Sequence, residues 1–468
     1  MLASVGNLDN KKHYYFLSEG PLRRKRHKVH DKNQTDQTGV PPPTKQQLAQ
    51  QLQSIVKLHR RGVGGLNVAL ALTKRLDHLI SAVFRSLANP NKKLVAAVAL
   101  GGYGRKELCF SSDVDIMFLI KDEAEKPFAA PIVGNLLHDL LDYGLDIGHS
   151  FRTIQECLES GREDSEIWNS LLESRFICGS RSAYTTFRTR LQNHIRSFDA
   201  ASFAQHLIVT TDLRHRKYGL STKLLEPNIK NSAGGLRDLH TVMWLVRGTG
   251  LAALPSRLRP SDTALTALLR SPLLRKHFGS RFLKETERGL DFLLRARNEM
   301  HLDSHSLHDT MEFNLQRKVA KALRYKDSAK RTSVERFMKD YYIAARYVSQ
   351  LARRIMNWAH DRYLGEPESK SVQRLDGTFI IKNKKLDLNR KARKLPGEQA
   401  LHAFLLSLEH SVSFSYTLED ALTRSAPTYR HLQLAREASL FRELLNKPRG
   451  VALAIQQMND LGLLARWI

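Results

Sequence analysis

Residues Ala99–Ile120 read ALGGYGRKELCFSSDVDIMFLI. A glycine pair closes one apolar run, and two aspartates open the next. Side chains at i and i+2 of an extended chain share a face. Asp113 and Asp115 therefore project together, away from Val114 and Ile116. Two like charges at the head of an apolar strand are costly unless something neutralises them. A divalent cation does so, and an oxygen-only ligand pair suits Mg²⁺. Asp113 and Asp115 are thus the candidate catalytic residues and metal ligands.

The glycines supply the other half of the pattern. Gly101 and Gly102 at a strand end let the backbone approach a phosphate closely, with N–H groups turned towards it. Arg105 and Lys106 are placed to neutralise a triphosphate, and Ser111 and Ser112 to hydrogen-bond it. The combination predicts metal-assisted chemistry on a nucleotide phosphate.

Working outward, KLVAAVAL (Lys93–Leu100), VDIMFLI (Val114–Ile120) and DIGHSFRT (Asp146–Thr153) read as three short strands. APIVGNLLHDLLDYG (Ala130–Gly144) has helical spacing and ends on a glycine, a plausible cap. Upstream, Lys45–Ala88 reads as two helices broken around Gly62–Gly65. Beyond Ser165 apolar residues recur at three and four positions, most clearly over Phe203–Leu213, Leu236–Val246, Phe282–Leu294 and Val334–Trp358. YLGEPESKS (Tyr363–Ser371) interrupts this pattern. FIIKNKKLDL (Phe379–Leu388) then offers a lone strand or hairpin, with more helix to Ile468.

Within the helical part, LLEPNIKNSAGGLRDLHTVMWLVR (Leu224–Arg247) repeats the glycine-pair device. Gly234 and Gly235 precede a helix opening at Leu236, a turn suited to an anion or to close packing. Lys230, Arg237 and Asp238 are candidates to face the same cleft.

Composition bounds the rest. A chain of 468 residues predicts two or three domains, and 42% hydrophobic residues suffice for real cores. Three cysteines with no CxxC pair argue for a reducing compartment and against a disulfide framework. Lys and Arg total 74 against 47 Asp and Glu, a net charge of +27. That charge attracts nucleic acid, an acidic protein or a polyphosphate substrate, but it is spread along the chain rather than gathered in a stripe. The N-terminus turns polar within a few residues, and no apolar run reaches the length of a bilayer, so a cytoplasmic protein without a membrane span is expected. Residues 1–44, with RRKRHKVH at Arg23–His30, read as a disordered basic tail.

The spacing of Gly101-Gly102 from Asp113-Val114-Asp115 resembles the signature of the polymerase-β-like nucleotidyltransferases. The longer LGGYGRKEL…SSDVDIMFL is similar to the bacterial protein-PII uridylyltransferase/uridylyl-removing family. So is the Glu-Pro-Asn-x-Lys…Gly-Gly-Leu-Arg-Asp element at Leu224–Arg247. FLLRARNEMHLDSHSLHDTMEFNLQRKVAKALRY, VERFMKDYYIAARYV and QQMNDLGLLARWI extend the resemblance over nearly all of Leu48–Ile468.

The resemblance implies an α+β fold: a polymerase-β-like nucleotidyltransferase domain with a small mixed sheet (45–195), a helical domain (196–365) and a mostly helical segment (366–468). It implies Mg²⁺-dependent transfer of UMP from UTP to a hydroxyl of a PII-type nitrogen-regulatory protein, with release of pyrophosphate. Gly101, Gly102, Arg105, Ser112, Lys230 and Arg237 become the nucleotide-binding set. Full members of the family continue into an HD phosphohydrolase domain and two ACT domains. The His-Asp dipeptides here (His30-Asp31, His138-Asp139, His308-Asp309, His360-Asp361) have no spaced partner set for a metal, so a truncated form lacking the removing activity is expected. A third carboxylate is not obvious: its expected place falls near Gly148 or His149, with Asp146 as a candidate. His301, His305 and His308 are assigned structural roles. Two other readings keep the same acid pair, a template-independent RNA nucleotidyltransferase and a catalytically idle nucleotide-binding regulator.

Overall fold

The computed structural model describes residues 41–197, 199–251, 259–304, 306–364, 372–390, 394–429 and 435–468. The predicted basic tail lies outside these residues, apart from its last few positions, as does most of the Tyr363–Ser371 interruption.

Two helices open the described chain, α1 (Lys45–Arg60) and α2 (Gly65–Ser86), broken at Gly62–Gly65 as the sequence predicts. Thr44 and Gln47 cap α1 reciprocally: Gln47 N–H donates to Thr44 Oγ1 at 3.2 Å, and Thr44 N–H donates to Gln47 Oε1 at 2.8 Å. There follow β1 (Ala96–Ala99), the single turn α3 (Gly101–Arg105), β2 (Ile116–Ile120), α4 (Lys126–Leu141), β3 (His149–Thr153), α5 (Ile154–Glu163), α6 (Ser165–Leu172), β4 (Arg175–Gly179) and α7 (Arg181–Ser197).

The four strands form one sheet in the order β3-β2-β1-β4. Strands β2 and β3 are parallel, and the other pairs antiparallel. Both faces of this sheet are covered, which is why its central strands read as unbroken apolar runs. Ala97, Ala99, Ile116, Phe118 and Ile120 face α1, α2 and α4. Ala96, Val98, Met117 and Leu119 face the helices that follow.

Two sequence expectations need correction here. Strand β2 begins at Ile116 rather than Val114, so the aspartates sit on the extended lead-in. Strand β4, RFICG, was read as part of a helical region; it is a five-residue strand with an arginine and a cysteine, too short to show an alternation.

The helical part comprises α8 (Ala200–Tyr218), α9 (Leu236–Gly248), α10 (Ala264–Leu269), α11 (Pro272–Phe278), α12 (Ser280–Ser304), α13 (Phe313–Ala322) and α14 (Ser333–Tyr363). All four helical repeats read from sequence fall inside these elements. Helices α9, α12 and α14 pack together around Leu239, Val242, Leu290, Leu293, Phe337, Tyr341 and Val348, and this core is continuous with the Met117 face of the sheet.

The C-terminal part has a core of its own. FIIKNKKLDL is a hairpin of β6 (Phe379–Lys382) and β7 (Lys385–Leu388), turning through Asn383 and Lys384, both at positive φ. With β5 (Val372–Arg374) and β8 (Ser413–Phe414) it makes a second four-stranded sheet. Helices α15 (Gly397–Glu409), α16 (Tyr416–Ser425), α17 (Ala435–Leu445), α18 (Val451–Asp460) and α19 (Leu464–Trp467) complete it. It meets α14 through Arg353, 3.0 Å from Asp460, and through Arg354, which donates to Thr423 at 3.0 Å. The molecule is α+β, with small mixed sheets and helical regions. No helix among the described residues is long and apolar enough to cross a membrane.

Candidate active site

The lead-in to β2 is held on both sides. Val114 N–H donates to Asp146 C=O at 2.9 Å, Ile116 N–H donates to Gly148 C=O at 2.8 Å, and Leu100 N–H donates to Asp115 C=O at 3.0 Å. This extended backbone turns Asp113 and Asp115 to the Met117–Leu119 side, towards the helical part. There they line a cleft of about 580 Å³ together with Gly101, Gly102, Arg105 and Ser112, faced by residues of α6, α8 and α9. Glycine is required on both flanks of Asp115. A Cβ on Gly101 would lie 2.5 Å from its Oδ2, and one on Gly148 would lie 2.5 Å from its Oδ1.

Among the described residues neither aspartate has an ion-pair partner. Burial, and then the neighbouring Asp113 charge, push the Asp115 carboxyl up to about 6. Burial and Asp146 raise Asp113. Two carboxylates that repel each other and lack a cation offer hard oxygen ligands to a divalent ion. Mg²⁺ takes the rest of its shell from phosphate and water, so this donor pair fits it. No group of three or more His, Cys, Asp and Glu among the described residues is arranged to hold a metal. Asp146 raises Asp113 by its charge without completing such a set.

Five cationic side chains line the cleft, and three are already paired. Arg105 donates to Glu107 at 3.0 Å and to Glu173 at 2.6 Å. Arg214 donates to Asp238 at 2.7 Å. Arg297 grips Asp309 with two bonds, at 2.7 and 3.1 Å. Lys230 and Arg237 have no carboxylate partner among the described residues. Burial and the surrounding arginines lower Lys230 to about 8; burial and Arg105 lower Arg237 to about 10. Partly buried cations without a carboxylate partner on one wall and unpaired carboxylates on the other suit a ligand that carries both phosphates and a metal.

Residues 202–356 match the family model of the GlnD PII-uridylyltransferase. This part of the chain is uridylyltransferase-like. The match runs from α8 through most of α14 and contains Lys230, Arg237 and Arg297, while the acid pair lies outside it. The family points to a transferase.

Set against the uridylyltransferase expectation, the cleft gathers Gly101, Gly102, Arg105, Ser112, Asp113, Asp115, Lys230 and Arg237. Ser112 Oγ accepts from Cys109 N–H at 3.1 Å, which fixes the turn before the acids. Asp238 does not face the cleft. It is fully buried behind it, accepting from Arg214, from His215 at 2.8 Å and from Gly234 N–H at 2.8 Å, so it anchors the head of α9. His301 is likewise structural, buried 3.3 Å from Asp309. His305 lies outside the described residues, and His308 faces Glu312 at 3.6 Å. Of the His-Asp dipeptides, His30-Asp31 lies outside the described residues; His138-Asp139 and His360-Asp361 are exposed.

Sequence reasoning missed the floor of the cleft: Glu107, Glu173, His240 and Trp244. Glu173 accepts from Trp244 Nε1 at 2.6 Å as well as from Arg105. The far wall was missed too. Asn169 is buried there and its Oδ1 has no partner, beside Ser170, Thr210 and Thr211. Spaced polar residues on helices carry no local signal for a shared cleft, although Glu173 and Asn169 do share a helical stripe.

Proposed function

We propose that this protein transfers UMP from UTP to a hydroxyl of a PII-type signalling protein, releasing pyrophosphate, from a polymerase-β-like nucleotidyltransferase site. The observation that carries the reading is the single cleft in which Asp113 and Asp115 face Lys230 and Arg237, none of the four having an ion-pair partner among the described residues. The match of the adjoining helices to a PII-uridylyltransferase family supports both the donor and the acceptor.

Asp113 and Asp115 would hold Mg²⁺, which when bound supplies charge neutralisation at the reacting phosphate. Gly101 and Gly102 keep the wall beside Asp115 free of side chains, so a triphosphate can lie close to the backbone. Lys230 and Arg237 offset the charge that builds on the departing pyrophosphate. The acceptor oxygen bonds to the α-phosphorus as the bond from that phosphorus to the α,β-bridging oxygen breaks, the pyrophosphate leaves with that bond's electron pair, and the hydroxyl proton passes to solvent water. Arg105 and Arg297, whose charges are met by Glu107, Glu173 and Asp309, shape the cleft rather than neutralise the phosphates directly.

The test is transfer of label from α-labelled UTP to purified PII protein with Mg²⁺, beside Asp113→Ala/Asp115→Ala. Label on PII that vanishes in the double variant supports the reading. UTP bound without transfer to PII sinks the uridylyltransferase reading, and label on added RNA instead of PII would show the acceptor to be nucleic acid.

A further inference from the structure

Beneath the cleft five side chains close a ring that joins its two halves. From the sheet half, Arg105 on α3 donates to Glu173 Oε1 at 2.6 Å and to Glu107 Oε2 at 3.0 Å. From the helical half, Trp244 Nε1 donates to the same Glu173 Oε1 at 2.6 Å. His240, one turn before Trp244 on α9, closes the circuit with Nε2 3.4 Å from Glu107 Oε2. All five residues are buried. Backbone packing tightens the junction, since a Cβ on Gly104 would lie 2.4 Å from Glu173 C=O.

Each arm of the reaction site hangs from this ring. Helix α3 carries Gly101, whose α-carbon abuts Asp115. Helix α9 carries Arg237, whose guanidinium lies 5.2 Å from the Trp244 ring. Lys230 is fixed to the same helix head, because Arg237 N–H donates to Lys230 C=O at 2.9 Å. One carboxylate oxygen of Glu173 thus ties the acid wall to the cation wall.

We propose that Glu173 and Trp244 are positioning residues that set the span between Asp113/Asp115 and Lys230/Arg237, and with it the fit of a metal–triphosphate. The proposal rests on the reading of Lys230 and Arg237 as phosphate-holding residues, and the arms of the experiment separate the two. A hydrogen bond to a buried charged group is worth enough for about a tenfold change in affinity or more. A ring that only stabilises the fold would alter melting and leave affinity alone.

The experiment measures UTP binding with Mg²⁺ by equilibrium dialysis, and thermal melting, on full-length Trp244→Phe, Glu173→Gln, Arg237→Ala and Trp244→Phe/Arg237→Ala. Trp244→Phe keeps an aromatic face under Arg237 while removing the N–H bond to Glu173, so it is the variant that stays folded if Glu173→Gln does not. The expected result is UTP affinity lowered about tenfold in Trp244→Phe, with a loss in the double variant smaller than the product of the two single losses, because Lys230 is then the one cation of the pair left to misplace. Unchanged affinity in Trp244→Phe, or losses that multiply in the double variant, overturns the positioning role. Unchanged affinity in Arg237→Ala overturns the phosphate reading itself, and the positioning proposal with it.

Discussion

The carboxylate of Asp115 lies against the α-carbon of Gly101, so close that a Cβ there would meet Oδ2 at 2.5 Å. Gly148, on the neighbouring strand lead-in, crowds the other oxygen equally. The glycine motif therefore does two things: it opens the backbone to a phosphate, and it leaves room for the acid.

Replacing either glycine by alanine must push the carboxylate aside. Gly101 also has φ +54, where a side chain costs about 1–2 kcal/mol. Gly101→Ala and Gly148→Ala are expected to lower turnover by roughly a hundredfold through misplaced chemistry. Gly134→Ala, in α4 with nothing within 4 Å of its Cβ position, should keep full turnover. Initial rates of UMP transfer for the three variants check this.

The raised Asp115 carboxyl makes stability depend on pH. Between the ordinary value of 3.8 and about 6 the folded protein holds a proton that the unfolded chain has released. Stability from this group is therefore lost as pH rises through that window. Asp115→Asn removes the titration, so in the presence of a chelator the variant should melt higher than the parent at pH 7 and no higher at pH 4. Thermal melts across that range read it directly.

Lys230 titrates in the opposite sense. Its ammonium is held at about 8, so the free protein loses this charge as pH rises past that value. kcat/KM for UTP should fall above about pH 8, reporting the free enzyme. Lys230→Arg, which stays charged, should flatten that limb. A pH–rate profile that is unaltered in Lys230→Arg would remove Lys230 from the phosphate site.

Asp238 anchors α9 rather than touching the ligand. Asp238→Ala leaves Arg214 and His215 facing each other without their shared carboxylate and uncaps Gly234 N–H. Breaking a buried pair in this way costs about 3–5 kcal/mol. Urea unfolding should show that loss.

Much of the site is legible in the sequence. The parity that puts Asp113, Asp115, Met117 and Leu119 on one face follows from strand geometry alone. The breaks at Gly62–Gly65 and Gly144 follow from the backbone freedom of glycine, and the pattern of α8, α9, α12 and α14 from the 3.6-residue helical period. These are local properties, set by steric and periodic rules within a few residues. What faces that parity is not local. Arg105 and Arg237 have the same charge and both follow glycine pairs, yet Arg105 is paired with Glu107 and Glu173 while Arg237 has no carboxylate partner among the described residues. Asp238, next to Arg237, turns into the core because successive helical residues point about a quarter-turn apart or more. Strand β4 is a strand because β1 offers it an edge, not because RFICG demands it. The sequence by itself determined which residues have the chemistry and which way the acids point. Only the tertiary structure decided which charges meet a partner, since ion pairing depends on distances between segments that no local pattern encodes.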